Sequence, residues 1–144
     1  MVAIKAVTTD QDFEAAIGIQ LRVFYGEQGI PEAACHEGND GACHVLAIDG
    51  EKPVATARLI CGRDGHGELA RVAVLPDYRK GGIGRKLVRA LEEIAIREGM
   101  HGITLRPHRH LESFYARLGY SRANDSIDIV AGHELITMHK LVGS

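Results

Sequence analysis

The chain has 144 residues and a mass of 15.6 kDa, which fits one domain with room for a real hydrophobic core. Its 17 basic and 19 acidic residues give a formal charge of −2, and that excludes a globally basic nucleic-acid binder. An apolar fraction of 45% and a charged fraction of 25% exclude disordered and low-complexity classes. No apolar run reaches the roughly 18 residues of a membrane span. The first residues lack a signal-peptide core, and Cys35, Cys43 and Cys61 are too few and uneven for a disulfide scaffold. A cytoplasmic, reduced protein is expected.

The elements follow in order. Residues 2–7 read as a strand. Thr8-Thr9-Asp10 offers N-cap chemistry, and Phe13, Ala16, Ile17, Leu21 and Phe24 recur at helical spacing, so a helix is expected over 10–25. Gly26, Gly29 and Pro31 break it, leaving 26–41 as loop or short helix. Residues 43–49 and 53–61 are apolar and β-branched around Asp49-Gly50-Glu51-Lys52, a hairpin signal. A strand runs from Glu68 to Leu75 and stops at Pro76. Residues 82–98 carry a stripe of Ile83, Leu87, Leu91 and Ile94, widened by Val88 and Ala95, with Arg89–Glu93 and Glu93–Arg97 as i,i+4 pairs. Then come a strand at 102–106, a short helix at Leu111–Leu118, and strands at 120–123 and 135–141. The fold class is mixed α/β: a mostly antiparallel central sheet flanked by helices, in a single domain over residues 1–144.

The chemistry concentrates after Pro76. Five of the 17 basic residues, Arg79, Lys80, Arg85, Lys86 and Arg89, fall within eleven positions without an acid. Gly81, Gly82 and Gly84 sit among them, where a strand turns into the long helix. Glycine lets backbone approach a ligand, and the free N–H groups of a first helical turn favour an anion. Cations at a helix N-terminus are unfavourable by about 0.3–1 kcal/mol each, and a bound polyanion reverses that sign. A solvated basic face is the plainer alternative. The ligand is not held by a P-loop, because no Gly-Lys pair occurs in the chain. A dinucleotide fingerprint fails as well, since Leu87 stands where the third glycine belongs.

Arg79-x-x-Gly82-x-Gly84, after Val72-Ala73-Val74-Leu75-Pro76-Asp77-Tyr78, resembles the acetyl-CoA signature of the GNAT N-acetyltransferase superfamily. Phe114-Tyr115-Ala116-Arg117-Leu118-Gly119-Tyr120 resembles that family's FYxxLGF segment. Val23-Phe24-x-x-Glu27-Gln28-x-x-Pro31 is similar to an ElaA/YjcF-like subgroup. The resemblance spans essentially the whole chain.

It implies an acetyl-CoA-dependent N-acetyltransferase acting on a primary amine by direct transfer in a ternary complex. Backbone amides of Arg79, Lys80, Gly81, Gly82, Ile83, Gly84 and Arg85 would hold the CoA pyrophosphate. The pantetheine arm would pair with Val72, Ala73 and Val74, which needs the next strand to splay away. A backbone N–H near Val74 would polarise the thioester carbonyl. Tyr115 would protonate the departing thiolate, and Glu68 would serve as base for the amine. His108 and His110 are further base candidates. For Tyr115 the competing role is a core aromatic; for Glu68 it is a polar strand start.

No basic residue lies between Arg22 and Lys52, whereas Glu27, Glu32, Glu37 and Asp40 do. That run is expected to border the acceptor pocket and to favour a cationic acceptor; a solvated acidic loop is the alternative. The Cys35-His36 and Cys43-His44 pairs lack the usual zinc-ligand spacing, so no metal is expected. Family precedent also allows a homodimer. A non-catalytic acyl-CoA-binding sensor on the same fold is the competing function, and turnover separates the two. Nucleic acid and membrane are not expected partners. The seven aromatics do not interleave with the basic cluster as a stacking platform would.

Overall fold

A computed structural model describes residues 1–143. The front half holds β1 (Val2–Ala6), α1 (Asp10–Gln20), a π-helical segment (Leu21–Glu27), α2 (Glu32–His36), β2 (Cys43–Asp49), β3 (Lys52–Cys61) and β4 (His66–Val74). The rest holds α3 (Ile83–Arg97), β5 (Gly102–Leu105), α4 (Glu112–Arg117), β6 (Ser121–Arg122), β7 (Asp128–Val130), β8 (His133–Leu135) and β9 (Met138–Leu141). Seven strands form one sheet in the order β1-β2-β3-β4-β5-β9-β6, and β7 and β8 form a separate hairpin. Only the β4–β5 pairing is parallel. This is the mixed, mostly antiparallel sheet expected from the sequence.

The central strands are apolar on both faces because both faces are covered. Val45 and Ala47 pack with Leu87, Val88, Leu91 and Ala95 of α3. Leu46, between them in sequence, turns to the other layer with Ala16, Ile19, Val23 and Phe24. Period-two alternation thus feeds two cores from one strand.

Three details depart from the sequence reading. The first helix does not stop at Gly26: α1 widens into π-turns that carry the backbone on to Glu27. Residues 135–141 are not one strand. Leu135 closes the β7–β8 hairpin, whose turn residues Ala131 and Gly132 both have positive φ (50° and 80°). Those two angles match the mirror-image turn that suits hairpin twist. The chain then bends, with Ile136 N–H donating to Pro107 O, before β9 begins.

The third concerns α3. Arg89 pairs with Glu92 at 2.8 Å, not with Glu93. Glu92 is buried at 6% exposure, where the Tyr120 hydroxyl (2.8 Å) and the Lys140 ammonium (3.1 Å) also reach it. The guanidinium follows the carboxylate that the fold fixes in place.

Beneath α1 and α2 lies a buried polar chain. Asn39 Nδ2 donates to Gln20 Oε1 at 2.9 Å, and His44 Nε2 donates to Asn39 O at 3.0 Å. His44 Nδ1 is buried without a partner. Burial, and to a smaller degree the nearby Arg58 charge, hold the His44 pKa below its ordinary value. The folded state therefore resists protonating this ring, while the unfolded chain does not. The stability it contributes is present above about pH 6.5 and is lost as pH falls below that value. The urea midpoint is expected to drop between about pH 7 and pH 5. His44→Gln should flatten that drop, and an equal drop in both proteins would remove His44 from the effect.

Candidate active site

The site begins at an irregularity in β4. Arg71 has φ 56°, and the β3–β4 register shifts between Thr56 and Arg58. That is a β-bulge, which bends the strand away from its neighbour. β4 pairs with β5 only from His66 to Leu69, against Gly102 to Leu105, and Pro107 follows soon after. Residues 70–74 therefore have no β5 partner. Leu75 N–H donates to Val54 O of β3, which turns the polar groups of Val74 the other way, into the gap. The splayed edge implied at Val72–Val74 is present in the fold. Ala73 itself is buried under α1, while Val72 and Val74 face the α3 layer.

Beyond β4, a 3₁₀ turn at Pro76–Tyr78 leads into the glycine segment. The Tyr78 hydroxyl donates to Asp49 at 2.7 Å and pins this turn to the end of β2. Gly82 is left-handed (φ 74°) and caps α3 without any side-chain hydrogen bond. The first N–H groups of α3 are thus open to a ligand. Gly84 serves another need. A Cβ there would stand 3.4 Å from Phe114 Cζ, so the two sequence blocks touch at this point.

The basic cluster divides. Arg79 Nε donates to Val74 O at 2.8 Å and its Nη2 pairs with Glu27 at 2.6 Å, so this guanidinium ties the loop down. Arg89 is held by Glu92. Lys80, Arg85 and Lys86 are exposed and form no ion pair among the described residues. Three uncompensated cations remain at the helix start.

A cleft of about 470 Å³ opens beside the unpaired part of β4, and it brings Glu68, Val72 and Tyr115 together. The glycine segment lies outside it, past the C-terminal end of β4. Tyr115 is 5% exposed, stacks edge-on to Phe114 with centroids 4.9 Å apart, and has no hydrogen-bond partner among the described residues. Burial pushes its pKa up to about 12, so the phenol stays protonated across the working pH range. Glu68 is exposed and opposite Thr104 in the last paired stretch of β4.

His108 also lines the cleft, whereas His110 faces a neighbouring groove. The His108 Nε2 lies 3.1 Å from Gln28 Oε1, and His133 Nε2 donates to Gln28 O at 3.0 Å. Burial and the neighbouring histidines lower the His108 pKa. The Glu27-Gln28 pair thus ties two segments to the end of the π-helical segment. One residue holds Arg79 of the glycine turn and the other holds the β5–α4 loop.

The acidic run does not make the cleft acidic. Glu27 is paired, Glu32 and Asp40 do not line the cleft, and only Glu37 of this run reaches it. Two residues absent from the sequence reading line it as well: Arg58 and Arg71. The only sequence signal for Arg58 is a charge inside the apolar run Val54–Ile60. Cys35 is buried with its thiol toward Ile30 O, and no group of three or more metal-ligating side chains occurs among the described residues. No helix of the described residues is long and apolar enough to cross a membrane.

Solved structures share this architecture. Escherichia coli ElaA superposes with a TM-score of 0.83 at 21% identity, covering 97% of this chain and 99% of its own. An aminoglycoside 6'-N-acetyltransferase complexed with coenzyme A superposes at 0.78 and 19%, covering 99% and 98%. The N-acetyltransferase YjcF of Bacillus subtilis (strain 168) is 31% identical over 132 residues, 91% of this chain and 94% of its own. The acetyltransferase (GNAT) family model matches residues 11–120. The chain belongs to the GNAT family, acetyltransferases that draw their acetyl group from acetyl-CoA.

Proposed function

We propose that the protein moves the acetyl group to a primary amine by direct transfer, with both substrates bound at once. The observation that carries this reading is the unpaired edge of β4, which leads from the cationic helix start into a cleft holding a carboxylate and a neutral phenol. The N–H groups at Gly82–Arg85 and the Lys80, Arg85 and Lys86 side chains hold the CoA phosphates. The pantetheine amides pair with the backbone of Val72 and with Val74 N–H, Val74 O already being held by Arg79. Glu68, directly or through a water, takes one proton from the ammonium. The amine nitrogen then bonds to the acetyl carbon, and the C–S bond breaks. Tyr115 gives its hydroxyl proton to the departing sulfur as the tetrahedral species collapses, and the second proton lost by the nitrogen passes through water to restore the phenol, so that one net proton leaves by way of Glu68. Holding both substrates in the cleft supplies much of the acceleration.

Melting the protein with acetyl-CoA, CoA and ATP tests the reading. Ligand at 100 times its dissociation constant stabilises by about 2.7 kcal/mol. Both CoA forms are expected to raise the Tm and ATP to do so less, followed by thiol release with an amine panel. No shift with either CoA form would sink the proposal. Binding without turnover on any amine would favour the sensor reading.

A further inference from the structure

We infer that the acceptor is an amine that also carries a carboxylate, as a free amino acid does, and that Arg58 and Arg71 receive that carboxylate at the far end of the cleft. This inference rests on the N-acetyltransferase reading above.

Arg58 is 4% exposed, yet it has no ion pair among the described residues. Its Nη1 donates to Glu37 O and to Asn39 Oδ1 (2.8 Å), both uncharged acceptors, and its Nε is buried without a partner. Arg71 repeats the pattern. Its Nη2 donates to Ala34 O at 3.0 Å, its guanidinium lies 5.9 Å from the Phe24 ring centroid, and its Nε is also buried and unpartnered. Burial disfavours the Arg58 cation most, the nearby Arg71 charge adds to that, and the Glu68 carboxylate offsets them only in part. Burying a guanidinium with no carboxylate in ion-pair contact is costly, and placing a second one near it adds repulsion. An anion between them removes both costs. A planar carboxylate matches the guanidinium fork.

The surroundings keep this place for a ligand. Gly38 lies against Arg58: a Cβ there would stand 2.7 Å from Nη2, so the missing side chain leaves room for the guanidinium. The third arginine of the cleft, Arg106, already has Asp128 at 2.6 Å. Of the two lining carboxylates, Glu37 offers its backbone oxygen to Arg58, and neither Glu37 nor Glu68 forms an ion pair with the two arginines. The CoA phosphates have their own cations at Lys80, Arg85 and Lys86. Arg58 faces Ala70 and Ile60 faces Glu68 in the β3–β4 register, so Arg58 and Glu68 share a sheet face two positions apart. An amino acid spans that interval with its ammonium toward Glu68 and its carboxylate toward the arginines.

The test is an acceptor series that changes one group. Free amino acids, their amides, the matching decarboxylated amines and a phosphorylated amine are assayed for CoA thiol release. The free acid is expected to exceed its amide in kcat/KM by roughly 10–100-fold, the effect of one charge-assisted contact. Arg71→Gln should erase that ratio by raising KM for the acid, with KM for acetyl-CoA unchanged, and Arg71→Lys should restore part of it. A second readout needs no turnover. CoA-bound protein should be stabilised more by N-acetyl amino acids than by their amides, and Arg71→Gln should abolish the difference. Equal activity of acid, amide and amine, or a preference for the phosphorylated amine, overturns the carboxylate assignment while N-acetyl transfer stands. Absence of any shift with either CoA form overturns the parent reading instead.

Discussion

Replacing Tyr115 by Phe is expected to lower kcat by roughly 10²–10⁴-fold, the usual worth of a positioned acid. Acetyl-CoA binding should survive. The ring is packed between Phe114 and Tyr120, at centroid distances of 4.9 and 6.1 Å, and Phe keeps that packing. Only the hydroxyl is lost, and it has no protein partner among the described residues whose loss would destabilise the fold. The raised pKa supports the same expectation. A phenol with a pKa near 12 is a donor at every working pH, so the rate should show no limb from Tyr115 ionisation below about pH 10. Stopped-assay kcat and a melting curve with acetyl-CoA check both halves. An unchanged kcat removes Tyr115 from the mechanism and leaves it a core aromatic.

Glu92→Ala should lower stability by about 3–5 kcal/mol. The carboxylate is the hub for Tyr120, Lys140 and Arg89, joining α3 to α4's end and to β9. Truncation leaves the Tyr120 hydroxyl without its acceptor and the mostly buried Lys140 ammonium without its counter-charge. Lys140 keeps only Leu118 O at 2.8 Å. For a domain of this size the loss corresponds to a Tm roughly 10–20 °C lower. Glu93→Ala is the matched control, because its exposed side chain has no ion pair among the described residues and should shift stability by less than about 0.5 kcal/mol. If the two variants melt alike, the hub assignment is wrong.

That contrast shows where sequence reading reaches its limit. The apolar stripe of α3 was legible because period 3.6 is local, and the glycine turn was legible because Gly82 answers a local backbone need. The choice between Glu92 and Glu93 was not local. It depends on Tyr120 and Lys140, 28 and 48 positions away in the chain. The same holds for Arg58 and Arg71. As sequence they are two cations in β-strands, and their lack of ion-pair partners among the described residues appears only when β3, β4 and α2 come together. The acidic run misled for the converse reason. Glu27 looked free in sequence, but Arg79 neutralises it from 52 positions away. Gly26 read as a helix breaker because propensity counts residues one at a time, whereas π-turns accommodate it and put Glu27 within reach of Arg79 and Gln28 within reach of His108.

The gap between β4 and β5 has a consequence for solubility as well as for chemistry. A strand with unsatisfied N–H and C=O groups is a template for another strand, and proteins ordinarily protect such edges from their neighbours. This chain needs an unpaired edge to bind a cofactor arm, yet it does not leave that edge at the rim of the sheet. The opening lies in the interior of the strand order, with β3 on one side and β5, β9 and β6 on the other. A slender chain molecule can enter such a slot, whereas a second sheet would meet the diverging strands first. Recognition of the cofactor and resistance to edge-to-edge association therefore come from one break in the pairing.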